Sequence, residues 1–395
     1  MKNSSKEIRN DLLFSRLKKG MDAYRITLEY IDFECDYDIV LAHETYTSGL
    51  AGLYVSEHFC NPLKILDVVE YPIFKERTSI SLREMAFQSL ISCNLTSLYA
   101  ANVANHFDYI FASSQGQIDI MRNLGCNVPM ELLRNCREYV ELEKGSYLRQ
   151  KYNLSSDDII LLYSNRAYSN CGVELMVSTL PLLDERFKLI VLGDVVPELY
   201  DNVILLAEQL QVSYRFFITD MLDPDLVLPI TREADIALCL LEPVIDNHKH
   251  SLPNRIFDAV AAKVPVLGFD GTEIAEFIKR YNVGKVIPKT TPESIKETLI
   301  LTIRDMVFLK KSVNNASKIF CWESEEKKFL EYLQEAKPSA TKCLLIAVKD
   351  IRRNDRIRRL LSSLNKFDIS VDVITPYLPF ECMRMPNATY KTWRK

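Results

Sequence analysis

Residues 340–395 read as the opening of a domain, although they close the chain. Residues 342–348 (KCLLIAV) form a short apolar run of the kind that makes a buried strand. Residues 355–367 (DRIRRLLSSLNKF) then set Ile357, Leu360, Leu361 and Leu364 at helical spacing. Residues 369–375 (ISVDVIT) alternate and are rich in β-branched side chains, and Pro376 stops them. Strand, helix, strand is how a doubly wound parallel sheet begins. The chain's own start is polar and then helical, with Leu12, Leu13, Leu17, Met21 and Tyr24 on one stripe. Either the two ends complete one domain between them, or the tail is the start of a second, truncated unit.

At 395 residues the chain has room for two α/β domains. Its hydrophobic and charged fractions, 48% and 26%, are those of a soluble globular protein. No apolar stretch reaches the roughly 18–20 residues that span a bilayer, and the first residues (MKNSSKEIRND) lack the apolar core of a signal peptide. The ten cysteines stand singly with no CxxC pair, so they read as reduced thiols of a cytoplasmic protein, not a disulfide framework or zinc site. A net charge of −4 argues against a general nucleic-acid binder.

Between the ends, strands and helices alternate. Strands are predicted at 38–42, 63–68, 109–112 and 130–133, with helices at 47–59, 82–107 and 115–124. A polar segment, 138–158, leads to a second run with strands at 159–163, 187–192, 202–207, 214–218, 235–241, 264–269 and 284–287. Residues 242–252 read as a loop, 253–263 as a helix, and helices follow to about 335 before the linker 337–339. This pattern favours mostly parallel sheets with helices on both faces.

Ligands in such sheets bind beyond the carboxyl ends of the strands. The most specific string there is 248–265, HKHSLPNRIFDAVAAKVP. Pro253 suits a first helical turn, and the loop ahead of it presents free amides and the positive end of the helix dipole, a natural phosphate site. Asp258, about one turn in, can accept two hydroxyl hydrogen bonds of the kind a ribose offers. Taken alone, Asp258 is also an ordinary first-turn carboxylate. His248 and His250 are also solvated loop residues, and His43, Glu70 and Tyr71 strand ends.

The string SLPNRIFDAVAAKVPVLGF resembles the donor-binding helix of the retaining GT-B glycosyltransferases of family 4. NCGVELMVSTLPLLDERFKLIVLGD, residues 273–286 and FCWESEEKKFLEYL resemble further segments of that family's donor domain. YDIVLAHE, ILDVVEYP and YIFASSQGQIDIMRNLG resemble strands and a helix of its acceptor domain. CLLIAVKDIRRNDRIRRLLSSLNKFDISVDVIT resembles the family's first strand, first helix and second strand, which here come last.

The resemblance implies a GT-B fold, two Rossmann-like domains facing across a cleft and circularly permuted. Residues 1–150, completed by 340–395, would take the acceptor, and 151–335 the nucleotide diphosphate sugar. Glycosyl transfer to a hydroxyl follows, with retention, no metal and no cofactor beyond the donor, in glycan, surface polysaccharide or glycolipid synthesis. The donor-binding set implied is Arg166, Gly193, Ser251, Leu252, Asn254, Arg255 and Asp258, with His43 and His250 catalytic and Glu70 on the acceptor side. The sequence departs from the family at three positions. His250 stands for the first glutamate of the acid motif, Asp258 for the second, and Cys171 for the phosphate-binding lysine before Gly172. Those departures leave open a non-catalytic GT-B-like subunit, and more weakly a sugar-nucleotide epimerase. The cluster Arg352, Arg353, Arg356, Arg358 and Arg359 reads as a solvated helix face or a contact for an anionic acceptor or membrane surface.

Overall fold

In the computed structural model, residues 36–44, 47–69, 101–219, 223–244, 246–347, 350–351, 354–377, 379 and 384–392 are described. Expectations for residues 1–34 and for most of 82–107 lie outside them, as do Glu70, Tyr71, Arg352 and Arg353.

Thirteen strands are described: β1 (Ile39–His43), β2 (Leu63–Val68), β3 (Tyr109–Ala112), β4 (Met130–Leu132), β5 (Ile159–Ser164), β6 (Phe187–Leu192), β7 (Phe216–Thr219), β8 (Ile236–Leu238), β9 (Val266–Phe269), β10 (Gly284–Ile287), β11 (Lys342–Ala347), β12 (Ser370–Thr375) and β13 (Ala388–Thr392). They form two sheets, one in each of two compact units. The first unit combines the residues up to Arg134 with those from Glu326 onward, and the second is Asn135–Glu325.

The apolar run of the tail has the composition of a strand buried on both faces, and β11 is buried from Cys343 to Ala347. It pairs in parallel with β1, Ile39 opposite Cys343 and His43 opposite Ala347. The spatial order of the sheet is β13-β12-β11-β1-β2-β3-β4. Counting the tail strands first turns this into the doubly wound order 3-2-1-4-5-6-7. The seam is pinned at its polar end by Asp38, whose carboxylate accepts from the amides of Thr341 and Lys342 at 2.8 and 3.0 Å. The second sheet runs β10-β9-β8-β5-β6-β7, again all parallel. Its order reverses between β5 and β8, which makes the carboxyl ends of those two strands the switch point where ligands bind in such sheets.

Four expectations change. Residues 202–207 belong to the helix Pro197–Gln209, because Leu199, Val203 and Ala207 recur at helical spacing and are the buried ones. Residues 242–252 are not wholly loop, since Asp246–His250 is a short helix. The string's helix begins at Asn254, with Pro253 as its cap residue. The arginines of the tail helix Asp355–Lys366 are not a solvated face: Arg356 is fully buried, Arg359 is buried, and Arg358 pairs with Asp355. Arg356 is drawn inward by a carboxylate that the tail's own sequence does not contain.

Candidate functional site

In the second unit, the helix Asn254–Ala261 follows β8 and its connecting loop, and every residue from Arg255 to Ala261 is buried. No side chain caps its first amides. Arg255, in that first turn, lies with its guanidinium 4.3 Å from the centre of the Tyr163 ring. Tyr163 is the penultimate residue of β5, so the cation sits at the switch point. Arg255 is 7% exposed, makes no ion pair among the described residues, and leaves Nε and Nη1 without hydrogen-bond partners. Burial raises the Tyr163 phenol above its usual range and pushes the Cys239 thiol up to about 12, so both neighbours stay neutral. A buried guanidinium with neutral neighbours and unspent donors is a site that an anion would complete.

The other residues of the string are partly engaged. Asp258 is buried, and its Oδ1 accepts from Arg137 Nε at 2.5 Å. Asn254 Oδ1 accepts from Asn135 Nδ2 at 2.7 Å. Residues 135 and 137 are two apart and residues 254 and 258 share one face of a helix, and the two pairs meet one to one. Sequence reasoning missed Asn135 and Arg137, because nothing local says that this segment lies along that helix. It also missed Tyr163, whose alternation reports burial and not the cation above it. Oδ2 of Asp258 is engaged by no described residue.

Around these groups, Cys171 is fully buried and Gly172 adopts φ +79° at the cap of the helix Val173–Thr179. A Cβ on Gly172 would stand 2.5 Å from Leu240 Cβ. Gly193, just past β6, has φ +125°, and a Cβ there would lie 3.1 Å from the Asn165 carbonyl oxygen. Arg166 is exposed and sits 3.3 Å from Asp194. Leu252 is buried and Ser251 half-buried. His250 closes the short helix and is half-buried. Its neighbour His248 is buried, donating from Nδ1 to the Glu242 carbonyl at 2.9 Å and accepting from the Tyr168 hydroxyl at 3.2 Å. His248 therefore braces the loop. Among the described residues no cluster of His, Cys, Asp and Glu is arranged to hold a metal ion.

In the first unit His43 ends β1 directly opposite Asp67 of β2. Its Nδ1 donates to Asp67 at 2.7 Å, and its Nε2 accepts from Asn354 Nδ2 at 3.0 Å. The ring is fully buried. Arg356 donates through Nε to both oxygens of Asp67 at 2.9 and 2.8 Å, through Nη2 to Oδ1, and through Nη1 to the Leu133 carbonyl at 2.5 Å. Asn354 also caps the tail helix, accepting from the Ile357 amide at 3.2 Å. His43 is thus locked into a network shared by both ends of the chain.

Residues 146–319 match the family of glycosyl transferases group 1. Solved structures with the same architecture include HepE of Anabaena in complex with UDP and glucose, at TM-score 0.62 and 14% identity, over 79% of this chain and 81% of that one. A sucrose-phosphate synthase from Thermosynechococcus elongatus gives TM-score 0.60 and 14% identity over 77% and 75%. A glycosyltransferase from Rickettsia africae gives 0.56 and 17% over 82% and 83%. At such identities the likeness is one of fold, and the fold is that of GT-B glycosyltransferases: two Rossmann-like units with parallel sheets. No curated protein matches the chain by sequence. The matched segment contains Arg166, Gly193, Ser251, Leu252, Asn254, Arg255 and Asp258, whereas Asn135, Arg137, His43 and Glu70 lie outside it.

Proposed function

We propose that this chain transfers a sugar from a nucleoside diphosphate sugar to a hydroxyl acceptor, with the second unit binding the donor and the first the acceptor. The observation that carries this reading is Arg255, a buried cation with two unspent donors at the switch point of a sheet inside the matched segment. A departing diphosphate supplies the missing anion, and the uncapped first-turn amides of the same helix add to its stabilisation. The guanidinium makes good the cation lost where Cys171 replaces the family's lysine. Asp258 offers Oδ2 to the ribose hydroxyls while Arg137 holds Oδ1, and Gly193 lets the chain approach the sugar closely. His250 flanks the sugar from the short helix. Retention, through an oxocarbenium-like transition state, follows from the family 4 resemblance, as does a place in surface polysaccharide or glycolipid synthesis in the cytoplasm. The sheet order of the first unit supports circular permutation over a truncated second unit, because the tail strands take the places that an opening strand–helix–strand would fill. His43 acts there by fixing the strand ends that face the acceptor, not by meeting it.

HepE is described with UDP, so UDP is the first nucleotide to try. Melting curves with UDP, GDP and their sugars should show a nucleotide-dependent rise in Tm. In Arg255→Met that rise disappears, while the ligand-free protein gains roughly 1–4 kcal/mol from losing an uncompensated buried charge. Opposite signs for the two quantities separate a ligand role from a structural one. No shift with any nucleotide, or the same shift in Arg255→Met, would sink the donor-site reading and leave a GT-B-shaped subunit without a donor.

A further inference from the structure

Tyr163 does more at the switch point than fill the core. The strand β5 pairs with β8 only at Leu161 and Leu162, so Tyr163 stands where those two strands part. On its other side it is held in register with Val191 of β6. Its ring is buried, with Cζ of the Arg255 guanidinium over it, 4.3 Å from its centre. Its hydroxyl donates to the Arg166 carbonyl at 3.3 Å. That carbonyl belongs to a loop fixed on both sides. The Asn165 amide donates to the Leu192 carbonyl at 2.8 Å, and the Ala167 amide to the Asp194 carbonyl at 2.7 Å. The ring is therefore held at both ends, by its strand and by its hydroxyl.

We infer that Tyr163 is a positioning residue, whose ring holds the Arg255 guanidinium for the diphosphate without consuming the donors that the diphosphate needs. The inference rests on the donor-site reading and deepens it by naming what aims the cation. Carboxylates and carbonyls fix a buried guanidinium by taking up its N–H groups. Arg356 in the first unit is held in that way, with Nε, Nη1 and Nη2 all bound. An aromatic face instead attracts the cation through its quadrupole and leaves the in-plane N–H groups unspent. Arg255 has that arrangement, since Nε and Nη1 are buried without hydrogen-bond partners above the ring. Asp258, one turn further along the same helix, is engaged by Arg137 and forms no ion pair with Arg255. An aliphatic side chain at residue 163 would fill the space and leave the cation unaimed.

Calorimetric titration of the full chain with UDP and UMP, and with GDP and GMP, checks it. The readout is the ratio of diphosphate to monophosphate affinity. Tyr163→Leu should lower that ratio about tenfold, the size of a desolvated cation–π contact, and leave monophosphate affinity as it was. Tyr163→Phe should restore the ratio, because the ring face returns. Fluorinating the ring of that phenylalanine keeps its shape and withdraws charge from its face, so the ratio should fall with each fluorine. In an Arg255→Met background, Tyr163→Leu should change the ratio no further. If Tyr163→Leu does not fold, the fluorinated series decides alone. Equal losses of diphosphate and monophosphate affinity, or a ratio indifferent to fluorine, overturn the inference and leave Tyr163 a core residue. A parent protein with no preference for the diphosphate overturns the donor-site reading as well. A preference that Arg255→Met erases and the ring variants keep overturns this inference alone.

Discussion

Asp67 binds two side chains, His43 and Arg356, into one buried unit, and its ionisation state decides whether that unit holds. Burial alone would raise its pKa, but the Arg356 charge and the hydrogen bond from His43 overcome this and hold the carboxyl well below its usual range. A depressed carboxylate stabilises the fold fully above its unfolded pKa of about 3.9 and loses that contribution as pH falls toward the folded value. The first unit should therefore unfold progressively below about pH 4. Asp67→Asn should cost about 3–5 kcal/mol at neutral pH, since it strands the fully buried Arg356 charge, and should flatten the acid limb. Urea titrations from pH 3 to 7 measure both effects, and an unchanged acid limb would remove Asp67 as the cause. Gly172 is a second residue whose identity is forced. Gly172→Ala adds a Cβ against Leu240 at positive φ and should destabilise the second unit by about 2 kcal/mol or more, read from its melting transition. The glycine itself was noticed in the sequence, but its close approach to Leu240, just past β8, was not.

At the level of elements, the segment 135–137 and the helix Asn254–Ala261 behave as one piece. Asn135–Asn254 and Arg137–Asp258 join them, and the Arg137 carbonyl accepts the Trp322 amide at 2.8 Å. Arg137→Ala leaves Asp258 buried without its cation and should cost about 2 kcal/mol, less than for a fully buried pair because Arg137 is partly exposed. If Asp258 also holds a ribose, the same variant should change the nucleotide-induced Tm shift, whereas a purely structural pair would leave that shift as it was. Element types were well marked where periodicity was long. The helix Pro197–Gln209 was misread because residues 202–207 taken alone are a β-branched and apolar run. Only the wider frame, with Leu199 and Val203 one turn apart, shows the helical stripe. The short helix Asp246–His250 had no such frame, and its bracing contact from His248 to Tyr168 joins residues far apart in the chain.

Across the whole molecule, the tail is a structural part of the first sheet. β11 lies beside β1 at the centre of seven strands, so a chain ending at Lys337 exposes the β1 edge and the core face of that sheet. Such a truncation should abolish the folding transition of the first unit in circular dichroism melts. In the intact chain, hydrogen exchange should give the amides of residues 39–43 and 343–347 matching protection, because one opening exposes both. A folded truncated chain, or a tail that exchanges much faster than β1, would mean that the pairing contributes little.

The sequence by itself held no sign of the half-buried edge strand β13, but it settled most of the alternation of strands and helices, the buried character of the central strands and the two-unit α/β plan. Those features are written in periodicity and composition, which report how deeply a residue is buried. What it could not specify was which buried surface meets which. Arg356 looked like one of several solvated arginines until Asp67 met it, and His43 looked available until Asn354 closed over it. Arg255 looked like one cation among several until Tyr163 covered it, with no ion pair to any described residue. Each of these outcomes turns on a partner far along the chain. Burial of a charge is tolerated only where such a partner, or a ligand, compensates it. Tertiary structure therefore decided which charged residues hold the fold together, and it left Arg255 without an ion pair among the described residues.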